Sequence, residues 1–223
     1  MNRGDLRTEV QNNTGRTDKT TQINTALNLG IKEIAKRHYW GDLKISDTST
    51  LSLTIGESSI SLPSGFHQLI EARITDQSSV SYRLGIKPKV WVVDRVPDVD
   101  QLTNSKPTWG YVEGGTLNFA PPADAAYKVY ITYYKLPSDF DSDSTSNPIS
   151  TADMPLIAWT SAYIFDQIQE QEEAIVWRGR FEQDLRTSIL ADDRKPAITP
   201  QVESYSESKL QVATPWLDPF VRG

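Results

Sequence analysis

The sequence predicts an α+β protein: an α-helical bundle carrying an inserted small antiparallel β-sandwich or barrel, followed by an extended carboxyl-terminal arm. Three observations carry this prediction. Apolar residues recur at helical spacing in residues 1–42 and again in 139–195. Between them, residues 43–138 switch to a period of two, with β-branched and aromatic runs punctuated by Gly and Pro. The last 28 residues, 196–223, follow neither period and are rich in Ser, Glu, Gln and Pro. The expected organisation is one helical domain built from 1–42 and 139–195, a β domain at 43–138 and an arm at 196–223.

Asp5 to Asn13 reads as a short helix with Leu6 and Val10 as its apolar pair, ended by Gly15. Asp18 or Thr20 is placed to cap the next helix, where Ile23, Leu27, Ile31, Ile34 and Ala35 form one stripe. That helix runs on towards His38 and Tyr39 and stops at Gly41.

From Leu43 onward Leu51, Leu53 and Ile55 alternate with Ser and Thr, and Gly56 to Ser58 turns the chain into Ile60 and Leu62, the pattern of a β-hairpin. Leu69 to Thr75, with Ile70, Ala72 and Ile74 on one face, and Val80 to Ile86 are two further strands. Pro88 breaks the run; Lys89 to Arg95 fits a short helix or a strand, and Pro97 to Pro107 reads as a loop. Trp109 to Val112 precedes the clearest local signal, Thr116 to Pro137. There Leu117 and Phe119 lead through Pro121, Pro122, Ala123 and Asp124 into a strand whose Val129, Ile131 and Tyr133 share a face. This reads as a second hairpin. About seven short strands suffice for a small sandwich or barrel.

Asp139 to Ser150 is a polar linker. Thr151 or Asp153 is placed to cap a helix with Pro155 in its first turn and Ile157, Ile164, Phe165 and Ile168 on its apolar side. Trp177, Phe181, Leu185 and Ile189 then repeat at i+4 in a last helix that ends before Pro196. These helices and the long amino-terminal one need a common partner, so they are expected to pack together. In the arm, Trp216, Leu217 and Phe220 are the candidate anchors. Three side chains cannot offset the entropy of ordering 28 residues. An ordered arm must therefore add backbone hydrogen bonds along a groove, expected on a neighbouring subunit.

The formal net charge of −6 argues against a surface that wraps nucleic acid. The absence of cysteine removes disulfides, thiolate metal sites and Cys nucleophiles together. The first ten residues hold no apolar run of signal length, and no segment approaches the roughly 20 apolar residues of a membrane span. A soluble, unprocessed protein with no membrane association is expected.

No catalytic residue, cofactor or metal is expected. His38 stands beside Tyr39 and Trp40 at a helix end, which suits packing or a dipole contact, and His67 lies in a Pro-Ser-Gly-Phe turn. No serine sits in a GxSxG elbow, and no glycines form GxxxxGK[ST] or GxGxxG. Asp139, Asp141 and Asp143 open like an EF-hand loop, but Ser144 stands where the turn needs Gly and Ser150 where a bidentate Glu belongs. Glu170, Glu172 and Glu173 form a solvated helix face or helix junction, or else an inter-subunit contact with Arg178 or Arg180, with Glu172 and Glu173 the candidates for it.

Four stretches together carry a family resemblance: INTALNLGIKEIAKRHYW, NFAPPADAAYKVYITYYKLP, ADMPLIAWTSAYIFDQIQ and WRGRFEQDLRTSILADDRKP. In this order, over Asp5 to Pro196, the chain resembles the head-to-tail adaptor (connector) proteins of tailed bacteriophages, the short-tailed ones especially. The most specific pieces are Tyr133, Tyr134 and Pro137 after the Pro-Pro-Ala-Asp turn, and Trp177, Phe181 and Leu185 ahead of Asp192, Asp193 and Arg194. The resemblance implies a virion protein assembled in the host cytoplasm. It implies a ring, dodecameric in that family, between the portal protein and the tail or nozzle protein, with DNA passing through its channel without specific binding. It also implies carboxyl-terminal arms that lock the ring to the portal. A β-sandwich that recognises a host glycan through Trp109 and Tyr111 is the alternative reading.

Overall fold

The computed structural model of the chain describes residues 1–46, 51–95 and 102–194. The helices among them are α1 (Arg3–Thr14), α2 (Thr20–Arg37), α3 (Lys89–Arg95), α4 (Asp153–Gln167) and α5 (Gln171–Asp193). The strands are β1 (Lys44–Ile45), β2 (Leu51–Leu53), β3 (Ser59–Ser61), β4 (Phe66–Thr75), β5 (Ser81–Arg83), β6 (Gly85–Ile86), β7 (Trp109–Glu113), β8 (Thr116–Ala120) and β9 (Tyr127–Lys135). The fold is α+β, as the two hydrophobic periods predict.

α1 begins earlier than its apolar pair suggests, because Asn2 closes a capping box: its side chain accepts from the Asp5 amide at 2.9 Å and the Asp5 carboxylate accepts from the Asn2 amide at 3.3 Å. Gly15, at φ 65°, ends it. Neither Asp18 nor Thr20 caps α2. Lys19 holds the cap position, while the Asp18 carboxylate faces Arg16 and Lys19 at 3.3 and 3.9 Å, pairings that leave it off the helix amides. The stripe from Ile23 to Ala35 is buried as expected. Beyond the helix, the buried Trp40 folds back and its indole N–H donates to the Ile34 carbonyl at 3.0 Å, satisfying an acceptor of the last turn.

α4 is apolar nearly all round because it is central, with α5, α2 and α1 all packed against it. Gly30 sets the closeness of α2: a Cβ there would lie 2.7 Å from Trp159 Cε3 and 2.8 Å from Leu156 Cδ1. Neither Thr151 nor Asp153 caps α4; Ala152 holds that position, and Asp153 instead accepts from the Met1 amine and the Asn147 amide group. Phe181 and Leu185 of α5 are buried, with Trp177 and Ile189 packed partly buried against the same core.

The strands form two sheets. In one, β9 is central, taking β1 and β2 along one edge and β4 along the other, with β5 beyond β4; the second runs β3–β8–β7–β6. Neither expected hairpin exists. β2 pairs with β9 and β3 with β8, so the Gly56 turn carries the chain from one sheet to the other, as does the link from β8 to β9. The two crossing turns hold each other, Gly56 N to Ala123 O at 2.7 Å and Ala123 N to Glu57 O at 3.0 Å. Alternation names the buried face and not the neighbouring strand: Leu53 and Ile60, like Phe119 and Val129, enter one core between the sheets. The second sheet is mixed, since β6 runs parallel to β7. In β4 the expected face also fails at one residue. A register shift between Leu69 and Glu71 turns Ile70 outward, 40% exposed, while Ala72 and Ile74 remain buried. Lys89–Arg95 is helical.

Candidate interaction surfaces

The amino terminus is tied to the linker ahead of α4 by ion pairs. Arg7 meets Asp143 with two parallel bonds, Nη1 to Oδ1 at 2.8 Å and Nη2 to Oδ2 at 2.7 Å, and Arg3 Nη2 reaches Oδ1 at 2.7 Å. Arg3 Nη1 also donates to the Phe140 carbonyl at 2.8 Å. Hydrogen bonds from Arg7 first, then Arg3, hold the Asp143 carboxyl at about 2, and Asp143 in turn raises the Arg7 guanidinium. Asp139 pairs with Lys32 at 2.6 Å. Two of the three alternating aspartates that resemble a calcium loop, Asp139 and Asp143, are thus held by cationic partners. Among the described residues no group of three or more His, Asp or Glu is arranged to hold a metal ion.

A second tie joins the bundle to the β unit. Asp192, buried in the last turn of α5, accepts from the Gly41 amide at 3.0 Å and sits 3.2 Å from His38 Nε2. His38 also lies 3.5 Å from Asp193 and packs edge-on to Trp40. Tyr39 stacks on Tyr134 of β9 at 5.1 Å between centroids, and burial, the Asp192 carboxylate and Tyr39 push the Tyr134 hydroxyl up. His38 therefore serves as a contact at a helix end. Sequence reading missed the part played by Asp192, because nothing in the spacing of residues 38 and 192 shows that they meet.

The four candidate inter-subunit residues separate into two kinds. Arg178 pairs with Asp166 across the α4–α5 turn, and Arg180 faces Asp184 at 3.9 Å while stacking on Trp177. Glu172 and Glu173 are exposed in the first turn of α5, and no ion pair engages them among the described residues. On the same outward side Ile175, Val176 and Leu190 are 64%, 65% and 55% exposed, and a Cβ on Gly179 would touch nothing. Residues 138–194 carry twelve Asp and Glu against four Lys and Arg, whereas residues 1–46 carry five against eight. The arm residues Trp216, Leu217 and Phe220 lie outside the described residues.

On the β unit, Trp109 packs edge-on to Trp91 at 5.0 Å, and Trp91 lies between Lys87 and Arg95 at 5.1 and 4.0 Å. These aromatics are engaged in anchoring α3 to β7. A groove of about 410 Å³ lies beside them, lined by Phe66, Leu69, Ile86, Pro88 and Val112 with His67, Gln68 and Lys87 at its rim. No helix among the described residues is long and apolar enough to cross a membrane.

No curated protein matches this chain. The family model of the SU10 adaptor protein matches residues 1–202, spanning both helical segments and the whole β unit. The chain belongs to the SU10 adaptor protein family, the structural head-to-tail adaptors of phage virions.

Proposed function

We propose that the protein forms a closed homo-oligomeric ring at the neck of a short-tailed phage, seated on the portal and joined below to the tail or nozzle, with the genome passing through its channel during ejection. The observation that carries this reading is the adaptor family match over residues 1–202. The arrangement of the bundle supports it. α2 and α5 both pack on α4 and meet each other through the Arg37–Glu182 ion pair at 3.7 Å, and each keeps an exposed face, with Leu29 on α2 and Ile175 on α5. Head-to-tail packing of copies needs two different faces of this kind, and closure of such packing gives a ring. The ring has twelve copies, as the family resemblance implies. Glu172, Glu173, Arg178 and Arg180 lie at the seam between copies, and Trp216, Leu217 and Phe220 anchor the arm on the portal or a neighbouring copy. The net negative charge suits a channel through which DNA slides without being held.

The test is a gold-labelled tag on the protein in intact particles. Label in a ring at the neck supports the adaptor position. Label at the tail tip would overturn it and favour the glycan-binding alternative.

A further inference from the structure

β4 is paired along its whole length by β9, but on its other edge only Arg73–Thr75 meet β5, with one further bond from the Leu84 amide to the Ala72 carbonyl at 2.9 Å. At Gly85 the chain leaves for the second sheet, where β6 pairs with β7. Among the described residues, Phe66–Glu71 therefore present an open strand edge. The groove lined by Phe66, Leu69, Ile86, Pro88 and Val112 lies along this stretch of β4, with Ile86 of β6 in its lining, and Ile86 and Val112 remain 37% exposed there. An open edge beside an apolar trough accepts an extended segment: the backbone bonds to the edge strand and alternate side chains fill the trough.

The chain's own arm has its root close by. Asp192 contacts His38, the next residue Tyr39 stacks on Tyr134, and Tyr134 stands opposite Gln68 at the rim of the groove. Residues 195 to 215 separate that root from the anchors, a length of chain that reaches several tens of Å at about 3.3–3.6 Å per residue. Beyond them comes Trp216-Leu217-Asp218-Pro219-Phe220, whose apolar side chains suit the trough and whose Asp218 suits Lys87. Lys87 stacks on Trp91 and has no carboxylate partner among the described residues. A tether of this length gives an effective concentration of about millimolar, far above that of a second chain in dilute solution.

We propose that in the free subunit the segment Trp216–Phe220 docks back onto its own β unit, adding a strand to the open edge of β4 with its apolar side chains in the groove. This keeps the anchors of the arm covered until assembly releases them, and it holds for the isolated chain whether or not the ring reading is right.

The chain has no cysteine, so the test places two in the full-length protein: Gln68→Cys at the groove with Val221→Cys beside the anchors. A control pairs Val221→Cys with Gln183→Cys on the outer face of α5, close to the root of the arm. Back-docking gives a disulfide within one chain, forming about tenfold faster or more than in the control. Equal rates, or cross-links only between chains, would overturn the proposal. Hydrogen exchange on the cysteine-free chain gives a second readout. The double variant Trp216→Ala, Phe220→Ala should speed exchange of the Phe66–Glu71 amides about fivefold or more, and unchanged protection would equally overturn it.

Discussion

The carboxylate of Asp192 accepts a hydrogen bond from the Gly41 amide at 3.0 Å, tying the end of the last bundle helix to the point where the chain leaves α2 for the β unit. Asp192→Ala leaves that amide without its acceptor at a part-buried site, removes the nearer carboxylate from His38, and should cost about 1–3 kcal/mol in urea unfolding. Asp193→Ala, whose side chain is 59% exposed, should change stability by less than about 0.5 kcal/mol.

The Asp143 cluster gives the protein an acid-sensitive joint. Its carboxyl is held at about 2 against an ordinary 3.8. A depressed carboxyl stabilises the fold above its unfolded value and loses that contribution as pH falls through its folded value. Stability should therefore drop as pH falls from about 4 to about 2, and Asp143→Asn should be less stable at neutral pH and flatter across that window. Urea midpoints measured at several pH values check both.

Two glycines in the bundle should respond oppositely to alanine. Gly30→Ala drives a Cβ to within 3 Å of Trp159 and Leu156 on α4 and should destabilise by about 1–3 kcal/mol. Gly179→Ala meets open space inside a 23-residue helix and should stabilise the monomer by about 0.5–1 kcal/mol. Thermal unfolding of the two variants makes the comparison.

Charge reversal at Glu172 and Glu173 opposes the helix dipole in the first turn of α5, costing about 0.3–1 kcal/mol each. The double variant Glu172→Lys, Glu173→Lys should keep its circular dichroism spectrum yet fail to join portal rings in co-sedimentation. Full incorporation would remove these residues from the seam between copies.

Helical elements were legible in the sequence because each stripe records its own buried face: Ile23 to Ala35 and Phe181 to Leu185 are buried as their spacing requires. Strand identity was legible for the same reason, and strand pairing was not. Leu53 and Ile60 alternate as a hairpin would, yet their turn crosses between sheets, and only the bonds between Gly56 and Ala123 reveal it. The outward turn of Ile70 follows from a bulge that composition does not mark. Of the candidate surface residues, Glu172 and Glu173 were legible as an exposed acidic turn. Arg178 was not, because its partner Asp166 becomes a neighbour only when α4 and α5 fold back on one another. The open edge of β4 was hidden in the same way, since it depends on where β5 leaves the sheet.

The most direct test of the adaptor role is the molar mass of the purified protein by light scattering, alone and then mixed with portal rings. The expected result is a species near the chain mass of 25.1 kDa that adds to the portal as a ring of copies. A monomer that stays near 25.1 kDa and leaves the portal mass unchanged would contradict it.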